Sequence, residues 1–440
     1  MTDTTTAHDY DALVIGAGAG GLCAAALLSH HGYRTLVVEA HDRPGGRAGS
    51  VEEDGCVVNT GAIAIEYGGI LEEVFRTVGA PFDIRVPDPA TMFRIKGKDV
   101  DISRGGWGKL VNGVTKKGAS LLDGLGQARR GEYPEEEMTT EQWLLRYTKN
   151  DTMHAIFRNL CAAIFAVNAD ELPAKAFLTY FIEKGAFKAY GFSPTGTGGL
   201  MQGLADAVVA RGGDVWYSSS VTAIKVTDGR VVAADVERGG RLERIEPRFV
   251  VSNVGPSATA ALVGREHLDA DYLDQLDRDL RPTANIVVNI ASSEPLMDVP
   301  GILTFGLTRR LCNMGNLTAT CPELAPDGRH LYVAYGVPRP AVGDFEEQAE
   351  IAATLADLHD EFENFDEDEV LSIRVMKGEW PAQRSVAGFD LPRETTLPNL
   401  WNVGDGVRTY ANGGVQACAE TGKLVVDAIL ALDARSPAIT

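Results

Sequence analysis

The sequence predicts an α/β fold in which a parallel-sheet domain is interleaved with an α+β domain. Three observations carry that expectation. Residues Asp11 to Arg47 run through a short apolar segment, a glycine turn, a small-residue helix and a second apolar segment. Glycine-rich turns flanked by apolar runs and helices return at 192–226 and 400–429. Between these returns the composition shifts to mixed-charge helical segments and separate strand-like runs, so the chain passes repeatedly between two architectures.

The first element is Ala12 to Ile15, whose continuous apolar run predicts a buried parallel strand. Gly16, Gly18 and Gly21 follow in G-x-G-x-x-G spacing, and Ala24 to Leu28 continue a helix that Gly32 ends. The second strand, Thr35 to Val38, finishes at Glu39, close to the ~20-residue spacing expected of a ribose-binding acid. A strand feeding a helix through a tight glycine turn leaves the first helical N–H groups unpaired and aimed at one spot. A pyrophosphate can sit there without meeting a Cβ. An acid at the tip of the next strand accepts from both ribose hydroxyls of an adenosine. The segment is Rossmann-like, and Gly16, Gly18, Gly21, Glu39 and the neighbouring Ala40 are expected to hold a dinucleotide.

Arg43, Gly45, Gly46 and Arg47 form RPGGR, followed by Ser50. This run resembles the second fingerprint of glutathione-reductase-type FAD proteins, in particular the flavin amine oxidase and phytoene desaturase group. The resemblance implies FAD as cofactor, with Gly46 and Arg47 near its phosphates; a planar guanidinium can bind phosphate oxygens in pairs. Gly61 and Ala62 fall where that group carries a glycine-centred loop against the isoalloxazine ring, and Glu66 and Tyr67 just beyond are candidates to face a substrate.

Glu72 to Val78 and Thr140 to Tyr147 read as amphipathic helices, and Ala155 to Val167 as a buried one. Arg104 to Arg130 mixes Trp107 and several leucines and valines with lysines and arginines, which fits a helix pair over the substrate domain or a weak peripheral membrane contact. Residues 192–226 resemble the same flavoprotein group again: a glycine turn, a helix from Leu200 to Arg211, and a strand carrying Val221 where the group contacts adenine. Met201 stands where a second dinucleotide motif would need its third glycine, so no NAD(P)H module is expected. Val221 to Val226, Asp228-Gly229 and Val231 to Val236 form a hairpin pattern. Arg248 to Gly255 resembles the strand that leads the chain out of the FAD domain. Strand-like runs at Ile286 to Ile290 and Leu331 to Tyr335 and a helix at Glu346 to His359 belong to the second domain. Leu400 to Ile429 closes the site: an apolar strand, Gly404-Asp405, a loop, Gly413, Gly414 and Val415, then a small-residue helix. Asp405 can accept from a ribityl hydroxyl while the helix turns its positive end toward the flavin. The expected boundaries are 1–75, 190–257 and 385–440 for the FAD-binding domain and 76–189 and 258–384 for the substrate domain.

Composition bounds the function. The 440 residues carry a formal net charge of −20, which argues against nucleic acid as a partner. The acidic runs at 135–137 and 360–369 read as solvated surface, and no metal site is expected. Six scattered cysteines contain no C-x-x-C, against a disulfide framework, structural zinc or a disulfide reductase. The N-terminal stretch lacks a signal-peptide pattern and no apolar run reaches 18 residues, so a cytoplasmic protein is expected.

The resemblance implies an FAD-dependent dehydrogenase or desaturase that passes a hydride from a largely apolar or cyclic small molecule to flavin N5, with O2 or a quinone as electron acceptor. Alternatives are a flavin amine oxidase using O2, a saturase or non-redox isomerase, and a carrier resembling the GDP dissociation inhibitors. Trp380, Tyr410 and Arg384 are the candidate catalytic residues, with Gln383 and Asn412 nearby and Lys377 a possible flavin-facing lysine. No histidine falls inside the C-terminal motif, which leaves an alcohol-oxidase type of base without support.

Overall fold

The computed structural model describes residues 7–101, 119–185 and 189–434. The chain begins with β1 (Ala7–Ile15), α1 (Ala19–His30) and β2 (Thr35–Val38), then a hairpin of β3 (Ser50–Glu53) and β4 (Cys56–Asn59). A two-residue strand β5 (Ile65–Glu66) leads into α2 (Ile70–Val78), β6 (Thr91–Ile95) and β7 (Lys98–Val100). A helical layer follows: α3 (Ala119–Arg129), α4 (Thr140–Leu145), α5 (Asp151–Phe165) and α6 (Ala174–Thr179), the last running into a π-helical turn over Tyr180–Gly185. The chain then returns through β8 (Tyr190–Gly191), α7 (Gly196–Val209), β9 (Asp214–Trp216), β10 (Ser219–Thr227), β11 (Arg230–Arg238) and β12 (Arg241–Ser252). After α8 (Pro256–Val263) and α9 (Ala270–Asp279) come β13 (Asn285–Ser292), β14 (Ile302–Phe305), β15 (Leu311–Asn316) and β16 (His330–Gly336). The last elements are α10 (Glu347–Glu361), β17 (Val370–Met376), β18 (Leu400–Asn402) and α11 (Gly414–Asp433).

Two seven-stranded sheets organise these elements. The first runs β10-β11-β12-β1-β2-β9, with β18 beside β12; the second runs β17-β13-β16-β15-β14-β6-β7. In the first sheet β1 lies parallel between β12 and β2, and Leu13 and Val14 at its centre are completely buried. Helix α1 is buried along nearly its whole length because Ala, Gly and Leu let α11 and α7 approach it closely. Gly21 shows why the motif needs its third glycine: a Cβ there would stand 2.2 Å from the carbonyl oxygen of Gly16. The hairpin between β10 and β11 turns at Asp228 and Gly229, both at positive φ, as its sequence predicts.

The boundary expected between 257 and 258 falls inside α8. Pro256 opens α8 directly after β12, and Ala260, Val263, Tyr272 and Leu276 pack with β1, β10 and β18, so residues 256–280 cover the first sheet. A parallel strand needs a helix on its outer face, and α8 and α9 supply it. Of the stretch Arg104 to Arg130 expected to cover the substrate domain or touch a membrane, the residues up to Gly118, Trp107 among them, lie outside the described residues. Leu121 and Leu125 of the same stretch are core residues packed on Trp143 and Phe157. Among the described residues no helix is long and apolar enough to cross a membrane.

Candidate active site

One cavity of about 1340 Å³ runs from the glycine turn after β1 to the face of the second sheet. Pockets for one drug-sized ligand span about 300–1,000 Å³, so this space exceeds what one such molecule fills. Of the residues the sequence assigns to a cofactor, Gly16, Gly18, Glu39, Ala40, Gly46, Arg47, Gly61, Ala62, Val221, Gly404, Asp405, Gly414 and Val415 all line it. Gly21 does not; its role is the close packing of α1 on β1.

The cavity has a polar half and an apolar half. In the polar half Glu39 is buried at the end of β2, where its two carboxylate oxygens accept from the backbone N–H groups of Ala17 at 2.7 Å and His41 at 2.9 Å. That rigid carboxylate keeps free lone pairs. Arg47 forms a two-pronged pair with Asp405, at 2.7 and 2.6 Å, and also donates to the carbonyls of Pro381 and Ala382. Burial alone would push the Asp405 carboxyl up, but Arg47, with Arg384 and Arg408 beyond, holds it well below the usual carboxylate range. The backbone N–H of Arg384 donates to the same carboxylate at 3.0 Å. Gly61 passes so close behind Arg47 that a Cβ there would lie 2.2 Å from the Arg47 carbonyl oxygen.

The far half is walled by Ile63, Phe93, Leu160, Ile164, Phe181 and Ile302, with Glu66, Tyr180, Tyr190, Asn285, Asn313 and Tyr335 among them. Gln416, at the start of α11, joins the two halves: its side chain accepts from Leu71 N–H and donates to the carbonyls of Glu66 and Gly68.

Of the three candidate catalytic residues, Trp380 and Arg384 line the cavity and Tyr410 does not. Trp380 lines the cavity at its polar end, edge-on to His41 at 5.4 Å and close to Gly46. Arg384 lies against Gly255 and Gly406, also at the polar end. Tyr410 does not line the cavity; its ring meets Lys175 at 5.5 Å and it is 37% exposed. Lys377 is paired with Glu347 at the surface, and Asn412 is turned to Glu420. The tip of a C-terminal motif is long enough to face either end of the site, and its spacing does not show which. Gln383 does line the cavity, held by Ile164 and Arg408. Tyr180, Tyr190, Asn285, Asn313 and Tyr335 had no local sequence signal at all. Asn253, against whose side chain Gly18 and Gly20 pack, was legible only as part of the strand resembling the group's exit strand.

A Rossmann-type half-site joined to an apolar chamber defines a flavin-dependent oxidoreductase. Residues 19–430 match the flavin-containing amine oxidoreductase family, and the chain belongs to it. An uncharacterized protein of Methanocaldococcus jannaschii is 24% identical over 92% of this chain and 94% of its own length. Prolycopene isomerase of Daucus carota is 22% identical over 53% of this chain, a match that spans only 45% of the carrot protein. Among solved structures, an oxidoreductase from Methanosarcina mazei superposes with a TM-score of 0.84 at 26% identity, covering 96% of this chain and all of that one.

The protein is an FAD-dependent oxidoreductase acting on a small molecule, and its own residues suit that cofactor. The Nε of Arg384 is buried without a hydrogen-bond partner, next to the Arg47–Asp405 pair and the glycine turn. Burial and the neighbouring Arg47 pull that guanidinium below its ordinary value, a cost that a nearby phosphate would offset.

Proposed function

We propose that the protein is an FAD-dependent dehydrogenase or desaturase that removes hydrogen from a carbon of a largely apolar or cyclic small molecule. The observation that carries this reading is the continuity of the cavity from the polar half into a chamber walled by Phe93, Leu160, Ile164, Phe181 and Ile302. Bound FAD supplies a hydride acceptor at flavin N5. The chain's own residues do the rest. Gly16, Gly18 and the start of α1 take the pyrophosphate, Glu39 the adenosine ribose, and Val221 the adenine side. Gly61 and Ala62 leave room for a flat ring, and the first turn of α11 offers its positive end. Chamber walls hold an apolar substrate against that ring and exclude water, which fixes the reacting bond in place.

A second reading, an amine oxidase using O2, is favoured by Glu66, Asp88 and Asp101, three carboxylates on the chamber side that suit a cationic substrate. Reducing the bound flavin anaerobically with light and then admitting oxygen separates the two. The dehydrogenase reading expects slow return of the visible flavin band and a quinone or protein acceptor. Fast return with stoichiometric peroxide would favour the oxidase and overturn it.

A further inference from the structure

The floor of the chamber is one face of the second sheet, and strand pairing lays a row of neutral polar side chains across it. Thr304 of β14 stands opposite Asn313 of β15, and Asn313 opposite Tyr335 of β16. Directly opposed residues share a face, with their Cβ atoms about 5 Å apart. Thr91 on β6 and Asn285 on β13 extend the row diagonally, because Phe93 and Val287, two residues further along those strands, are the residues opposite Thr304 and Tyr335. Thr91, Thr304, Asn313, Tyr335 and Asn285 all line the cavity. Met376, opposite Asn285 on β17, reaches the Gly61 loop: a Cβ on Gly61 would lie 3.3 Å from its terminal methyl. The Asn285 end of the row therefore meets the loop expected to face the flavin.

Three oxygens of this row, Thr91 Oγ1, Asn285 Oδ1 and Asn313 Oδ1, are buried without a hydrogen-bond partner among the described residues. The two asparagines are 4% and 6% exposed. Gln383, in the same cavity, has both ends of its amide taken, by Ile164 and Arg408, whereas Asn313 reaches Ala163 O only at a long 3.5 Å. An orphaned buried acceptor costs stability, and a ligand that completes it offsets that cost. The unmet atoms are acceptors, so the completing group must donate. The outer torsion of an asparagine is soft, which lets each amide turn to meet a donor. The row carries no formal charge, and burial pushes the Tyr335 phenol well above its ordinary value, so it stays a neutral O–H. A ligand hydroxyl donates and accepts at once and suits such a row. A carbonyl only accepts, and an ammonium finds no counter-ion in the row.

We infer that the row from Thr91 through Thr304, Asn313 and Tyr335 to Asn285 binds the hydroxylated edge of a cyclic substrate, one with two O–H groups set one strand spacing, about 5 Å, apart. This rests on the reading of the chamber as the substrate site beside the flavin and names the substrate class within it. With its oxygens on the sheet, the ring turns its remaining carbons to the apolar wall at Leu160 and Ile164.

The test uses the FAD-loaded protein and three ring probes, resorcinol, 1,3-dimethoxybenzene and m-xylene, titrated while the visible flavin band is followed. Transfer out of water alone favours m-xylene, so a preference for resorcinol reports the row. The parent is expected to bind resorcinol about 10-fold more tightly than either other probe, as one good hydrogen bond allows. Asn285→Leu, Asn313→Leu and Tyr335→Phe, each checked for unchanged flavin content, should remove most of that preference and leave m-xylene affinity within about twofold. Asn285→Leu should also unfold in urea no earlier than the parent, because its Oδ1 has no bond to lose; an earlier midpoint would make Asn285 a structural residue and take it out of the row. No preference for resorcinol in the parent, an unchanged preference in all three variants, or an equal loss for every probe overturns the inference and leaves the apolar chamber standing. Dimethoxybenzene bound as tightly as resorcinol overturns it too, since that ligand has no O–H to give. If no probe perturbs the flavin of the parent, the reading of the chamber as a substrate site fails, and the inference with it.

Discussion

At the residue scale, the Arg47–Asp405 pair shows how one side chain can serve both stability and the site. Asp405 is 6% exposed and bridges the RPGGR turn to the C-terminal motif. Its folded-state carboxyl is held below the ordinary value, so the unfolded chain binds more protons as the pH falls and stability falls with it. The pair's contribution is complete above the unfolded value of about 3.9 and drains away below it. Asp405→Asn leaves Arg47 buried without its partner, and breaking such a pair costs about 3–5 kcal/mol. Urea unfolding at pH 7 is expected to show that loss, with a weaker acid dependence below pH 4 than in the parent; a variant as stable as the parent at pH 7 would refute the account. Glu39→Ala acts at the nucleotide. It removes the acceptor of two backbone N–H groups and the expected ribose partner, and charge-assisted bonds are worth about 1.5–3 kcal/mol each. FAD titration of the apoprotein should give at least about a tenfold weaker affinity, and an unaltered affinity would mean that Glu39 has no ribose to hold.

At the scale of elements, Gln416 makes α11 part of the chamber wall. Its three side-chain bonds satisfy Leu71 N–H and the carbonyls of Glu66 and Gly68, in a loop also held by the short β5–β8 pair and by the Gly68 N–H donating to the Glu72 carboxylate. Gln416→Ala strips those groups of partners, and an unsatisfied buried group costs about 1–3 kcal/mol. The urea midpoint should fall accordingly, and protease cleavage near residues 66–70 should accelerate; cleavage unchanged there would show that the loop is held without Gln416. The same helix marks the limit of what the sequence discloses. Gly404, Asp405, Gly414 and Val415 are legible because backbone approach and helix ends impose a local spacing. The nucleotide half is built almost entirely that way, from strand, turn and helix in unbroken runs such as Asp11 to Glu39. The chamber is built otherwise. Tyr180 and Tyr190 flank a short connection, while Asn285, Asn313 and Tyr335 come from three strands of the second sheet. Nothing in a linear spacing brings those together, because the sheet order β13-β16-β15 is set by pairing across the whole domain.

At the scale of the molecule, the cavity belongs to both sheets at once. Gly16, Glu39 and Val221 come from the first, Thr304, Asn313, Tyr335 and Met376 from the second. Arg47 reaches the carbonyls of Pro381 and Ala382, and Arg374 at the edge of the second sheet pairs with Glu53 in the β3–β4 hairpin. A ligand filling this space therefore bears on the contact between the two sheets as well as on the sheet that carries its motifs. Binding to the native state alone stabilises by RT ln(1 + [L]/Kd), about 2.7 kcal/mol when FAD stands at 100 times its Kd. If both domains share the cavity wall, that free energy is felt by one cooperative transition. Scanning calorimetry of the apoprotein with increasing FAD should show a single peak moving to higher temperature, with tryptophan fluorescence and far-UV dichroism giving the same midpoint. Trp216 and Trp401 report the first sheet and Trp143 the helical layer, so separate fluorescence of single-tryptophan variants follows each. Two transitions, only one of them raised by FAD, would mean that the cofactor is held by the first sheet alone. The chamber would then be a neighbour of the flavin site rather than a part of it.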